Sequence, residues 1–189
     1  MDKHRKTAII VGVLILLAYS LLGSSNPDFK AVGMLLEVIS GVAVIAIAAL
    51  MFPYFKPYDP TVSLWYLALK TLEGGLLVVT GVLFLSHSNI LLGVRDGIHA
   101  IHGYVFAIPA LMFYFLLYKS QLVPRWISVW GVVAAVLLVI VNVFEVAGFN
   151  SDAMKILYLP IVLNEAFLAI WLMIKGFNSS AIKNIDFKL

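Results

Sequence analysis

The chain has 189 residues, of which 62% are hydrophobic and only 12% charged, and its formal net charge is +3. Soluble domains are about 25% charged, and a soluble chain of this length needs a polar shell that this composition cannot supply. The composition therefore excludes an ordinary soluble protein and indicates an integral membrane protein. The absence of cysteine excludes disulfides, thiolate metal sites and a cysteine nucleophile.

Six apolar stretches, each close to the ~20 residues that cross about 30 Å of hydrocarbon, predict six transmembrane helices. Their continuous apolar character favours helices over the alternating strands of a barrel. The predicted fold class is all-α, a polytopic bundle in a single domain that covers residues 1–189. In chain order, the predicted spans lie at about 7–23, 32–53, 61–85, 97–118, 124–147 and 155–176.

The first stretch shares some features with a secretory signal, because basic residues precede an apolar run that ends near Leu22. No small-x-small cleavage site follows that run, and further spans come at once. We therefore interpret the stretch as a retained first span.

Prolines and polar residues separate the spans. The three prolines in 53–60 are predicted to break the chain between the second and third spans. Arg95 and Asp96 are expected in the loop before the fourth span or as its cap. The tail after Gly176 is predicted to be a short frayed end.

The basic residues predict the orientation. With a cytoplasmic N-terminus, only Lys30, Arg95 and Lys155 lie on the outer side, and a larger set lies on the inner side. This inner set is Lys3, Arg5, Lys6, Lys56, Lys119, Arg125, Lys175, Lys183 and Lys188. The bias predicts that both termini are cytoplasmic (N-in/C-in), in a bacterial cytoplasmic membrane. Membrane lipids are the expected partners rather than nucleic acid, because no basic stripe with interleaved aromatic residues is present.

Polar side chains interrupt five of the six spans, although lipid makes each of them costly. Counted along the spans, all of them fall between the outer surface and the midplane, which predicts one polar pocket that opens to the outer face. Some are spaced three apart, which places both members on one helix face. These pairs are Lys70 and Glu73, His99 and His102, and Asn142 and Glu145.

Glu73, His102 and Glu165 are the predicted catalytic groups of this pocket. Carboxylates and imidazoles in a low dielectric can act as general acid and base on a lipophilic substrate, or as a proton relay. The predicted ligand-binding residues around them are Glu37, Lys70, Asn142, Glu145 and Asn164.

A divalent metal such as zinc is an alternative use of the same groups, with His99, His102, Glu73 and Glu165 as ligands. The histidine spacing differs from the His-x-x-x-His of zinc hydrolases, and no Glu-x-x-His pair of the di-iron type is present. Purely structural roles are alternatives to the functional ones. Lys70 and Glu73 could form a structural ion pair, and asparagines commonly serve as hydrogen-bonding links between membrane helices.

The leading functional hypothesis is an outward-facing His/Glu pocket for a small or lipophilic ligand, and whether it catalyses a reaction stays open. The alternatives are a proton- or cation-coupled transporter and a non-catalytic sensor, immunity or assembly subunit. The small-residue face at Ser40, Ala43 and Ile47 could pack within the chain or against a second copy, so a homo-oligomer also stays open.

The segment 159–178 contains a proline, a glutamate, a Leu-x-x-Trp-Leu run and a final Lys-Gly. These residues are Pro160, Glu165, Leu168, Trp171, Leu172, Lys175 and Gly176. The pattern resembles the last span of an uncharacterised bacterial family of six-span integral membrane proteins, a domain of unknown function. The turn at 122–127 and the opening at 5–8, followed by Gly12, are similar to those of the same family. The resemblance implies six spans over nearly the whole chain and gives weight to Glu165, but it implies no activity.

Overall fold

Long α-helices make up the protein, as a computed structural model describes it for residues 2–23, 29–149, 154 and 156–188. No β-strand occurs within these residues. The helices are α1 (Lys3–Ala18), α2 (Lys30–Phe55), α3 (Pro60–Phe84), α4 (Asn89–Ser120), α5 (Arg125–Val146), α6 (Leu159–Ile174) and α7 (Ser179–Lys188). Short 3₁₀ turns at Tyr19–Gly23 and Ile156–Tyr158 follow α1 and precede α6.

Six of these helices are long and apolar enough to cross a membrane, when each 3₁₀ turn is counted with its helix. This confirms the predicted all-α class and the bundle of six transmembrane helices. The N-in/C-in orientation stays a prediction, because it depends on which side of a bilayer the ends face.

The six helices form a closed ring in chain order, since each packs against the next and α6 packs against α1 and α5. Neighbours run in opposite directions. For example, His4 at the start of α1 contacts Tyr54 at the end of α2. Tyr158, just before α6, contacts Glu145 at the end of α5. We call the end of the ring that carries both chain termini the terminal end, and the opposite end the distal end.

The closest approach in the ring joins α2 to α3. A Cβ atom on Gly41 would clash with the carbonyl oxygen of Gly74, and a Cβ on Gly74 would clash with that of Gly41. Only glycine therefore permits this backbone contact, as is common where membrane helices cross. The contact fixes the rotation of α3 next to Glu73.

Two ends of helices differ from the sequence prediction. α4 begins at Asn89 rather than near residue 97, so Arg95 and Asp96 lie inside a helix and not in a loop or cap. α2 continues through Pro53 to Phe55, whereas Pro60 occupies the first turn of α3, where proline costs no hydrogen bond.

The tail after Gly176 is not a frayed end. It forms α7, and its apolar residues Ala181, Ile182 and Ile185 are buried in the core at the terminal end. The backbone N–H of Asn178 donates to the carbonyl of Leu122 at 2.8 Å. The prediction was wrong because it relied on the polar composition of this segment, whereas its few apolar residues are spaced so that they lie on one face of a helix.

Arg5 closes the ring at the terminal end. Its guanidinium donates to the carbonyl oxygens of Met173 (2.8 Å) and Ile174 (2.7 Å), which are left unpaired at the end of α6. Gly176 follows with a φ of +75°, and a Cβ there would lie 2.7 Å from the guanidinium. The opening and closing motifs of the chain thus meet in one contact.

Candidate functional site

A cavity of about 270 Å³ lies inside the ring, and side chains from all six helices line it. We call it the central cavity. Its polar lining residues are Tyr19, Ser40, Glu73, His102, Tyr158 and Glu165. The three predicted catalytic residues therefore face one space, although they come from three different helices. Most of the remaining lining is apolar, including Val44, Leu77, Phe106 and Leu138.

A smaller cavity of about 60 Å³ adjoins the central one towards the terminal end. Glu165 and Phe106 line both cavities, and Lys70 lines the smaller one. Its far wall contains Tyr66 and Phe113, whose rings stack at 5.6 Å between centroids. These aromatic residues fill the terminal half of the ring.

Lys70, Glu73 and His102 form one polar group in the wall. The ammonium of Lys70 donates to Oε1 of Glu73 at 3.2 Å and lies 3.0 Å from Oε2. Nε2 of His102 lies 3.9 Å from the same Oε1 and makes no hydrogen bond to any described residue. Lys70 also lies over the ring of Phe106, 4.6 Å from its centroid. The predicted pairing of Lys70 with Glu73 is present. The imidazole of His102 lies near the same carboxylate but is not hydrogen-bonded to it.

Glu165 has a different partner. The hydroxyl of Tyr19 donates to its Oε2 at 2.7 Å. The neighbouring residue Asn164 points away from the cavity and is fully buried, and its amide donates to the carbonyl of Ile127 on α5 at 3.1 Å. Asn164 was predicted to bind ligand, but in the structure it links two helices.

Asn142 and Glu145 meet Tyr158 at the distal rim of the central cavity. The Tyr158 hydroxyl lies 3.1 Å from Oε1 of Glu145 and 3.3 Å from Oδ1 of Asn142. The Asn142 amide donates to the carbonyl of Gly103 at 2.9 Å. Of these residues only Tyr158 and Gly103 line the cavity, so Asn142 and Glu145 position its wall.

A second polar group, separate from the cavity, lies near the distal ends of α2 and α4. Arg95 forms an ion pair and hydrogen bond with the fully buried Glu37. His99 approaches the same Glu37 oxygen, with its Nε2 at 3.2 Å. The guanidinium also lies over the ring of Phe84, 4.0 Å from its centroid. We call Glu37, Arg95 and His99 the Arg95 cluster.

The structure does not support the predicted metal site. No group of three or more His, Cys, Asp or Glu residues is placed to hold a metal among the residues that the structure describes. The physical reason is that the proposed ligands have other partners. His99 contacts Glu37, Glu73 is paired with Lys70, and Glu165 is bound by Tyr19.

The sequence analysis missed three residues that contact the predicted site residues, namely Tyr19, Tyr158 and Arg95. The tyrosines fall at the ends of predicted spans, where aromatic residues are common for interfacial reasons alone. Arg95 precedes the predicted fourth span. Its buried glutamate partner could have been suspected, because a charge inside a membrane usually pairs with an opposite one.

A family model described as a domain of unknown function, DUF4386, matches residues 17–176. This range includes every residue that lines the central cavity and all of the Arg95 cluster. The chain has no match among curated proteins or among solved structures. Because the matched range covers most of its length, the chain belongs to the DUF4386 family, a domain of unknown function.

Proposed function

We propose that this multi-pass membrane protein binds a small, largely apolar ligand in the central cavity. Glu73, His102 and Glu165 would bind the polar head group of that ligand. The single observation behind this proposal is the convergence of these three side chains on one cavity with apolar walls. Ligand sites are typically such cavities, with a few convergent polar groups in an apolar lining.

The unpaired nitrogen of His102 supports a role beyond packing. A buried polar atom without a hydrogen bond costs free energy, and Nε2 of His102 is such an atom within the described part of the chain. A ligand that supplies a donor or acceptor at this position removes the cost. Oε2 of Glu73 also lacks a hydrogen bond within the described residues, although the ammonium of Lys70 lies 3.0 Å from it.

The same arrangement supports proton exchange with the bound ligand as a second function. An imidazole 3.9 Å from a carboxylate needs only a small movement to reach hydrogen-bonding distance, and such a pair can serve as general base and acid. A transport function needs a further path to the terminal end, where Tyr66 and Phe113 pack together.

The direct test is to fill the cavity. Gly103 lines it, and a Cβ added there would have only Oδ1 of Asn142 nearby, at 3.7 Å. A leucine at this position therefore extends into the space without a backbone clash. Gly97 lies on the same helix, is exposed and has open space around it, so Gly97→Leu is the matched control.

The probe is 4-phenylbutan-1-ol, which combines an apolar body with a hydrogen-bonding head group. We expect it to raise the thermal unfolding midpoint of the purified wild-type protein and of Gly97→Leu, because a ligand that binds only the folded state stabilises it. The midpoint of Gly103→Leu should not rise. An equal rise in all three proteins would contradict binding in the central cavity.

A further inference from the structure

The acidic groups that face the cavities outnumber the ammonium groups within the described residues. Two carboxylates, Glu73 and Glu165, line the central cavity, and the only ammonium beside them in the described structure is that of Lys70. Lys70 is committed to Glu73, within 3.0 Å and 3.2 Å of its two oxygens. Glu165 has only the neutral hydroxyl of Tyr19 as a hydrogen-bond donor among the described residues.

His102 is poorly placed to supply the second positive charge. Its Nε2 approaches the same Glu73 oxygen that accepts from Lys70. A proton on this imidazole would place two cations beside one carboxylate oxygen, and like charges repel. Glu165 would still lack a cation of its own.

A buried carboxylate without a cation is costly in a membrane protein, and such residues commonly mark sites for ions or substrates. A positively charged ligand next to Glu165 would complete the charge balance. We propose that the ligand of the central cavity is an organic cation, namely an amine or quaternary ammonium with an apolar body. This proposal depends on the proposed function above.

The aromatic lining fits this class of ligand. Ammonium groups bind to the faces of aromatic rings, and the rings of Tyr19, Phe106 and Tyr158 line the central cavity. The protein already uses this interaction there, because the ammonium of Lys70 lies 4.6 Å from the centre of Phe106. The two tyrosine rings carry no such cation within the described residues.

The volume limits the size of the ligand. A cavity of about 150 Å³ can hold benzene, so one of about 270 Å³ has room for roughly eleven non-hydrogen atoms. Benzyltrimethylammonium has this size. Neopentylbenzene has the same shape, with carbon in place of the charged nitrogen, and therefore isolates the effect of charge.

The experiment measures binding of both probes to the full chain in nanodiscs of zwitterionic lipid. The signal from Gly103→Leu nanodiscs is subtracted, because it reports the probe that is dissolved in the lipid. We expect the wild-type protein to bind benzyltrimethylammonium at least about 10-fold more tightly than neopentylbenzene. The anion 4-phenylbutanoate should bind more weakly than either. Because these comparisons use no charge variant, they do not depend on the folding of one.

Glu165→Gln should abolish the preference for the cation while neopentylbenzene still binds. Asp96→Asn is the control, because Asp96 is an exposed acid outside the cavity, and it should leave the preference unchanged. Equal affinity of the wild-type protein for both probes would overturn the cation inference and leave the proposed function standing. If neither probe binds to wild-type nanodiscs more than to Gly103→Leu nanodiscs, the proposed function itself is overturned.

Discussion

Tyr19 and Glu165 are 146 residues apart in the chain, yet the tyrosine hydroxyl donates a hydrogen bond of 2.7 Å to the carboxylate. This bond connects the end of α1 to α6, at the place where the ring of helices closes. It also holds Glu165 in the wall of the central cavity.

A double-mutant cycle measures this bond. We expect Tyr19→Phe and Glu165→Leu, each of which removes one partner of the bond, to lower the free energy of unfolding, with a coupling of about 1 kcal/mol between them, the scale found for hydrogen bonds between membrane helices. The measurement is denaturation in mixed micelles. Tyr158→Phe is the control partner, because Tyr158 contacts Glu145 and Asn142 rather than Glu165. Strict additivity of Tyr19→Phe with Glu165→Leu would argue against the bond.

The buried pair of Lys70 and Glu73 makes a second prediction. Removing one partner leaves a buried charge unpaired, which costs about 3 kcal/mol or more, whereas replacing both partners is often nearly neutral. We therefore expect Lys70→Met to be strongly destabilising, and Lys70→Met with Glu73→Gln to recover most of the loss. If the double variant is as unstable as Lys70→Met, the ion pair is not the reason that Lys70 matters.

The Arg95 cluster predicts a large effect at a position that the sequence analysis had placed in a loop or helix cap. Glu37 is 0% exposed, so Arg95→Gln should lower stability by about 3 kcal/mol through its unpaired carboxylate. Asp96→Asn, at an exposed neighbour, should change stability little. A thermal melt of both variants distinguishes the cluster from a surface salt bridge, for which the two effects would be similar and small.

The contact of Gly41 with Gly74 predicts a steric effect. Gly74→Ala places a methyl group against the Gly41 carbonyl, so α2 and α3 must separate and the free energy of unfolding should fall. Gly75→Ala, at a neighbouring position with open space, should leave stability unchanged or raise it by up to about 1 kcal/mol through helix propensity. Equal effects at the two positions would show that the backbones are not in contact.

Asp59 predicts a dependence on pH outside the membrane spans. A hydrogen bond from Lys119 at 2.7 Å, together with one from the backbone N–H of Val62, lowers the pKa of Asp59 from its ordinary value of 3.8. A carboxyl group with a lowered pKa contributes stability that is complete above the ordinary pKa and is lost as the pH falls through the folded value. Asp59→Asn should therefore be less stable than the wild-type protein at pH 7.

The difference in stability should shrink as the pH falls below 3.8 and disappear below the lowered pKa of folded Asp59, where the wild-type carboxyl group is protonated. Lys119→Gln is the matched control, and its effect should not add to that of Asp59→Asn. Thermal midpoints between pH 3 and pH 8 provide the measurement. A difference that persists unchanged at pH 3 would mean that the charge of Asp59 is not responsible.

The six helices followed from the sequence because a membrane span depends on length and apolar composition alone. The pairing of Lys70 with Glu73 also followed, because both residues lie on one helix with fixed spacing. The prediction that Glu73, His102 and Glu165 share a pocket was based on an estimate of their depth along each helix, and all three line the central cavity. Features that lie within one helix, or that depend on how far along the helix a residue lies, could therefore be predicted from the sequence.

Contacts that depend on how two helices are rotated about their axes could not be predicted from the sequence. His99 was assigned to a metal site, but the rotation of α4 directs it to Glu37 instead. Arg95 was placed outside the helix because the charged turn around it interrupts the apolar run, although an ion pair with Glu37 compensates its charge. The amphipathic α7 was missed because its few apolar residues are spread through a polar segment.

The closure of the ring by Arg5 and Glu165 has a consequence for biogenesis. Helices leave the ribosome in order, so α1 must wait in the membrane with Arg5 and Tyr19 unpartnered until the last helix is synthesised. The wall of the central cavity is thus completed only when α6 is in place. A nascent chain released before α6 would expose the polar residues of its interior to lipid, which is costly.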